Sequence, residues 1–229
     1  MVEIESYTGR LLEKLKGHFG RRLIYLGLQG SYLRGEAGEN SDIDIMAVLD
    51  GLTLEDMDAY RAMVEEMEES GRACGFICSR EDLLNWNRCE IGHLLHTTRD
   101  LYGRLEELTP DYRPEDVKEF IRISVGNLYH GICHPYIHSA EPLNGDRLEA
   151  AFKQVFFILQ NKQYLESGLW GGTKRELLDM LSEEDRALLK TSMKIGAEGA
   201  PADEGERREL LGQLVEWCQR MLKWAREDV

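Results

Sequence analysis

Hydrophobic positions in the first half of the chain switch between a helical and a strand period. Leu11, Leu12, Leu15 and Phe19 recur at helical spacing, predicting an amphipathic helix over residues 5–19 that Gly20 closes. The short apolar run Leu23–Leu28, LIYLGL, reads as a buried strand and leads straight into Gln29-Gly30-Ser31. A polar, glycine-rich stretch, GEAGENS, separates it from a second strand, Asp42–Leu49, DIDIMAVL, which ends at the turn signal Asp50-Gly51. Thr53 is the expected N-cap of a helix over residues 54–70, with acidic residues in its first turn. A third strand is expected at Ala73–Ser79, ACGFICS, then a short helix from Arg80 and a last extended piece around Leu94–Tyr102.

Past residue 110 the pattern becomes helical throughout, after a linker punctuated by Pro110 and Pro114. Helices are expected over residues 114–134, 146–166, 173–182, 183–194 and 205–226, with Gly196–Gly205 as an exposed loop. The expected fold is α+β: a βα-type N-terminal domain over residues 1–110 with a short mixed sheet, followed by a helical bundle over 111–229.

A chain of 229 residues with a hydrophobic share of 42% can build one large core or two small ones. It has no apolar run long enough to span a membrane, and its first residues lack an apolar signal core, so a cytoplasmic protein without a membrane partner is expected. The cysteines, Cys74, Cys78, Cys89, Cys133 and Cys218, are odd in number and match no disulfide or zinc framework; reduced thiols are the expectation. A net charge of −14 argues against a nucleic-acid partner, which needs a basic surface, and is compatible with a cationic substrate.

The chemistry concentrates in LGLQGSYLRGEAGENSDIDIMAV. A strand ends in Gly30-Ser31; ten residues later Asp42 and Asp44 alternate along the next strand, so both carboxylates face one side and Ile43 and Ile45 the other. Two carboxylates form a hard-oxygen site suited to Mg²⁺ (or Mn²⁺). A Gly-Ser turn brings backbone N–H groups and a hydroxyl against a phosphate, which a Cβ would obstruct. The plain alternative is a surface hairpin with solvent-facing aspartates.

The segment resembles the signature of the DNA polymerase β-like nucleotidyltransferase superfamily: hydrophobic-Gly-[Gly or Ser], about ten residues, then Asp-hydrophobic-Asp-hydrophobic. Gln29 stands in place of the usual hydrophobic residue. Arg34-Gly35 and Ser41-Asp42, with the helical second half, are similar to the bacterial small-molecule branch of kanamycin nucleotidyltransferase-like enzymes. The resemblance implies transfer of a nucleoside monophosphate from an NTP to a hydroxyl of a small acceptor, an aminoglycoside-like amine for example, with release of pyrophosphate. Gly30, Ser31, Arg34 and Ser41 would hold the nucleotide, and Asp42 and Asp44 the metal.

One part of that pattern is missing. The superfamily adds a third carboxylate from a later strand, and ACGFICS contains none; its expected position falls near Phe76. Glu81, Asp82 and Glu90 lie past the strand and read as solvated helix-surface acids. By position alone in the family's helical domain, Glu149 resembles the catalytic base and Lys153 a lysine facing the triphosphate; the plain alternative is a pair of solvated charges. At Gly171-Gly172-Thr173-Lys174 the plain reading is a helix start with Thr173 as N-cap, and the sharper one has Lys174 reaching a phosphate across a domain cleft.

The segment YHGICHPYIHS places His130 and His134 four apart on one helix face beside Cys133. Such spacing suits a transition metal, but Pro135 is expected to end the helix and leave His138 off the face. Tyr129, His130 and His134 are alternatively candidates to line an acceptor cleft. Trp217 and Trp224, seven apart, are expected to pack within the bundle.

The leading reading is thus a Mg²⁺-dependent nucleotidyltransferase with an NTP and a small-molecule acceptor, a homodimer being left open. The missing carboxylate favours a second reading, a weakly catalytic nucleotide-binding or regulatory protein. A third, a toxin–antitoxin-type module, is disfavoured, because Arg122 and His130 are too far apart for an Arg-x₄₋₆-His signature.

Overall fold

The computed structural model describes residues 2–226 and divides into two compact units, Met1–Tyr112 and Arg113–Val229. The first is built on a four-stranded sheet. Its strands are β1 (Leu23–Leu28), β2 (Ile43–Leu49), β3 (Ala73–Ser79) and β4 (Arg99–Tyr102), in the order β3-β2-β1-β4. β1 runs antiparallel to β2 and β4, while β2 and β3 are parallel.

Helices cover both faces of this sheet, so β2 carries apolar side chains on both sides. Ile43, Ile45, Ala47 and Leu49 pack with Leu11, Leu15 and Phe19 of α1 (Ile4–Phe19) and with residues of α3 (Leu54–Glu65). Met46 and Val48 point the other way, into a second cluster with Tyr25, Cys78 and Leu83. Leu94 and Leu95 of α5 (Arg88–His96) cover that cluster. Asp44 is the next residue in the Met46–Val48 row, at the point where this core opens to solvent.

Several boundaries differ from the expectation. α3 stops at Glu65 rather than at residue 70, because Glu65, Glu66, Glu68 and Glu69 would place negative charge at the negative end of the helix dipole. Leu94–His96 is the last turn of α5, not the start of an extended piece: Ile91, Leu94 and Leu95 form a helical stripe against the core. The Gly30-Ser31 turn opens a short helix, α2 (Gly30–Arg34), and Arg80–Leu84 forms α4.

The second unit is helical: α6 (Pro114–His138), α7 (Gly145–Ser167), α8 (Lys174–Met180), α9 (Glu183–Glu198) and α10 (Glu204–Arg226). α6 packs on α7 and α10, and α7 on α9. Lys162, which interrupts the apolar face of α7, pairs with buried Asp185 at 2.9 Å. Asp185 also accepts from the indole N–H of buried Trp217 at 3.0 Å, so the charge of α7 is satisfied inside this bundle. Trp224 lies in the same neighbourhood, with the Lys162 ammonium 5.5 Å from its ring.

Pro135 does not end α6, which continues to His138. Proline removes only the N–H that would bond the Gly131 carbonyl, and Gly131 is exposed, so water can take that place. The helix α9 likewise runs on to Glu198 before Gly199, at φ 81°, terminates it. The exposed loop is therefore shorter than Gly196–Gly205. No helix among the described residues is long and apolar enough to cross a membrane.

Candidate active site

The site forms where β1 hands over to α2, beside the start of β2. The Gln29 N–H donates to the Asp44 carbonyl at 2.9 Å and prolongs the β1–β2 ladder by one residue. The Gln29 side chain donates to the Thr98 hydroxyl at 2.8 Å, tying the turn to the approach of β4. A polar residue at this position thus has a partner that a hydrophobic one would lack.

Gly30 then takes φ +68°, a conformation other residues rarely adopt. A Cβ built on it would overlap the Asp44 carboxylate, lying 2.8 Å from its Cγ. Backbone torsion and close approach both demand glycine. We expect Gly30→Ala to lower folding stability by about 2–3 kcal/mol, the sum of a left-handed torsion and a local overlap. Urea denaturation checks this; a loss limited to about 1 kcal/mol would mean that Asp44 swings away and only the torsion costs, and an unchanged midpoint would mean that the turn itself relaxes.

The first amides of α2, at Gly30, Ser31 and Tyr32, precede the hydrogen-bonded part of the helix and point out of its N-terminus. Asp44 is half-buried, whereas Asp42 is exposed just before β2 begins. Ser41 and Gly38 close the intervening loop on each other: the Gly38 N–H donates to Ser41 Oγ at 2.9 Å. Arg34 Nε lies 3.0 Å from the Glu36 carboxylate. Gly30, Ser31, Asp42 and Asp44 are therefore gathered at one corner; Ser41 closes the loop, and Arg34 is held by its neighbour.

The parallel register sets Cys74 beside Asp44, Gly75 beside Ile45 and Phe76 beside Met46. A third carboxylate sharing a metal with Asp44 would stand at Cys74, two residues before the position expected near Phe76. Phe76 instead stacks on Trp86, with centroids 5.9 Å apart. Cys74 is exposed. Partial desolvation, with Asp44 and Asp42 nearby, pushes its thiol up, so it remains protonated at neutral pH and is no base. The three acids past β3 are used or solvated elsewhere. Asp82 caps α4 through the Ser79 N–H at 2.9 Å, Glu90 accepts from the Trp86 indole, and Glu81 is exposed.

His93 of α5 also belongs to this region. Burial pushes it down to about 4, and His96 and the Arg34 guanidinium add to the effect. Folding therefore holds the imidazole neutral, while the unfolded chain takes up its proton near the ordinary value of 6.5. Stability is full above that pH and is lost as the pH falls toward 4, by about 2–3 kcal/mol. We expect His93→Gln to flatten this limb of a stability–pH curve; an unchanged slope between pH 6.5 and 4 would place the linkage in another group. Neither Cys74 nor His93 carries a sequence motif. The parallel register would have exposed the first, and the apolar stripe of α5 the second.

The remaining candidates lie in the helical unit. The Glu149 carboxylate accepts from the Ala200 N–H at 2.9 Å and holds the segment after α9. Lys153 is exposed. Lys174 begins α8, where Thr173 is the N-cap in a reciprocal pair with Glu176, and the Lys174 ammonium lies 6.0 Å from the Phe156 ring.

Residues 9–120 match the family model of the nucleotidyltransferase domain. Over that span the N-terminal unit is similar to a nucleotidyltransferase domain, in line with the polymerase β-like resemblance of its motif. The fold of the whole chain is similar to that of the spectinomycin adenyltransferase AAD(9) from Enterococcus faecialis, solved with ATP and spectinomycin. The match has a TM-score of 0.62 and 15% identity, and covers 96% of this chain and 99% of that one. No curated protein sequence matches the chain. Nucleotidyltransferases of this superfamily generally use divalent metals.

Among the described residues no group of three or more His, Cys, Asp or Glu side chains is arranged to hold a metal ion. Asp42 and Asp44 alone suit Mg²⁺, which is commonly bound through one or two carboxylates, substrate phosphates and water rather than by a complete protein cage.

Proposed function

We propose that this protein transfers a nucleoside monophosphate from an NTP to a hydroxyl of a small, hydroxylated, cationic acceptor. The observation that carries this reading is the contact between the Gly30 backbone and the Asp44 carboxylate, which joins a phosphate-accepting turn to a metal-accepting strand. In this reading the amides of Gly30 and Ser31 and the Ser31 hydroxyl receive the triphosphate. Asp42 and Asp44 hold Mg²⁺ or Mn²⁺, which offsets the charge developing on the phosphoryl oxygens. Arg34, Lys153 and Lys174 are the candidate cations for the rest of the triphosphate. The net charge of −14 and the full-length likeness to an enzyme solved with ATP and spectinomycin support a cationic small-molecule acceptor.

Cys74 supports a second reading, a nucleotide-binding protein with slow transfer, because the position beside Asp44 lacks a base. Glu149 remains a candidate base, although its carboxylate already receives the Ala200 N–H.

Calorimetric titration of each NTP, with Mg²⁺ and then with EDTA, tests the nucleotide site. Release of pyrophosphate on adding aminocyclitols and aminoglycosides tests the transfer. Metal-dependent NTP binding with acceptor-dependent release supports transferase action. Binding without release supports the second reading, and no binding of any NTP overturns both.

A further inference from the structure

The continuation of α6 through Pro135 has a chemical consequence away from the Asp42–Asp44 corner. It aligns His130, His134 and His138 at four-residue intervals along one exposed face. Their rings lie side by side, with centroids 5.3 Å apart for His130–His134 and 4.9 Å for His134–His138. Apart from these ring contacts, none of the three is hydrogen-bonded or ion-paired to another described residue, so their nitrogens are open to a ligand. The opposite face of the helix, with Val125, Leu128 and Ile132, is buried and fixes the backbone beneath them.

We propose that this stripe binds one borderline divalent transition-metal ion, of the Zn²⁺, Ni²⁺ or Cu²⁺ class, through His134 and either His130 or His138. Two imidazoles four residues apart on a helix project from neighbouring turns on one side. Metal–nitrogen bonds of about 2.0–2.1 Å place two adjacent ligand nitrogens roughly 3 Å apart. Imidazoles whose centroids lie near 5 Å reach that separation by side-chain rotation alone. Imidazole nitrogen favours these metals over Mg²⁺, which prefers oxygen, so the stripe and the aspartate corner select different ions.

The three rings do not converge on one point; the site is a pair of overlapping two-histidine chelates, with water completing the coordination. His134 is common to both, so one ion excludes a second. Cys133, adjacent in sequence, does not join them: it faces buried Cys218 on α10, whose thiol burial pushes up to about 12 with Cys133 adding to the shift.

This arrangement leaves a distinctive mutational signature. Ni²⁺ would be titrated calorimetrically into the full chain carrying Asp42→Asn/Asp44→Asn, which removes the competing carboxylates. One ion per chain is expected. His134→Ala should weaken binding at least about tenfold, because it destroys both chelates. His130→Ala or His138→Ala alone should cost no more than about twofold, because each leaves one chelate intact, while the double His130→Ala/His138→Ala should match His134→Ala. All these positions are exposed and alanine favours helix, so circular dichroism should report an unchanged fold. Absence of binding in the parent chain overturns the proposal. So does undiminished binding in His134→Ala, which would assign the metal to thiols, or a terminal single variant that falls as far as His134→Ala.

Discussion

Asp44→Asn is expected to abolish Mg²⁺-dependent NTP binding and to reduce pyrophosphate release by about 10²–10⁴-fold, the several kcal/mol that a metal contributes to phosphoryl transfer. The substitution keeps the shape of the side chain and removes its charge. Asp44 stands at the open end of the Met46–Val48 row, half-buried, with the Gly30 backbone against its carboxylate. In the proposed reading its loss therefore removes a metal ligand at the point where the triphosphate would meet the first amides of α2. Asp42→Asn should act in the same direction and the double variant should be no better than Asp44→Asn alone, since the proposed site assigns both to one ion. Asp50 provides a control: it is exposed at the far end of β2, and Asp50→Asn should leave both readouts unchanged. Equal NTP affinity in native and Asp44→Asn proteins, with and without EDTA, would sink the assignment of the metal to this strand.

The second large effect runs the other way. Cys74→Asp is expected to raise the rate of pyrophosphate release in the presence of acceptor by about 10²-fold, the lower end of what a positioned general base contributes. The parallel pairing of β2 and β3 places residue 74 laterally beside Asp44, and the native side chain there is an exposed thiol that Asp44 and Asp42 help to keep protonated. A carboxylate in that position would also be pushed up by its two acidic neighbours, so the gain should appear as pH rises through the new group's titration. NTP affinity measured with Mg²⁺ should change far less than turnover. A gain in turnover alone would mean that the native domain retains the nucleotide site but lacks its base. No gain would locate the base outside β3, with Glu149 the next residue to substitute.

How much of this was legible beforehand depends on the range of the interaction involved. β1 and β3 fall on Leu23–Leu28 and Ala73–Ser79 because each is a short apolar run bounded by punctuation, a local signal that needs no knowledge of the partner strand. The same holds for Gly30, Ser31, Asp42 and Asp44: the motif encodes their order, and the two strands that flank it encode their meeting. Where the expectation failed, a non-local or marginal balance decided. HLLH in α5 is compatible with either an extended or a helical pattern until Leu94 and Leu95 find the Met46–Val48 face. Pro135 costs one hydrogen bond, and its exposed acceptor at Gly131 lets α6 complete another turn.

The sequence by itself therefore determined the α+β class, the Gly30-Ser31 turn and the paired aspartates, because each rests on residues near one another in the chain. The tertiary structure alone decided that Cys74 faces Asp44, that His93 is held neutral near Arg34, that Glu149 receives the Ala200 N–H, and that His138 joins His130 and His134. Strand register, burial, loop closure and the persistence of a helix through proline are settled largely by packing between distant segments, of which a local pattern such as the apolar stripe of α5 gives only a part.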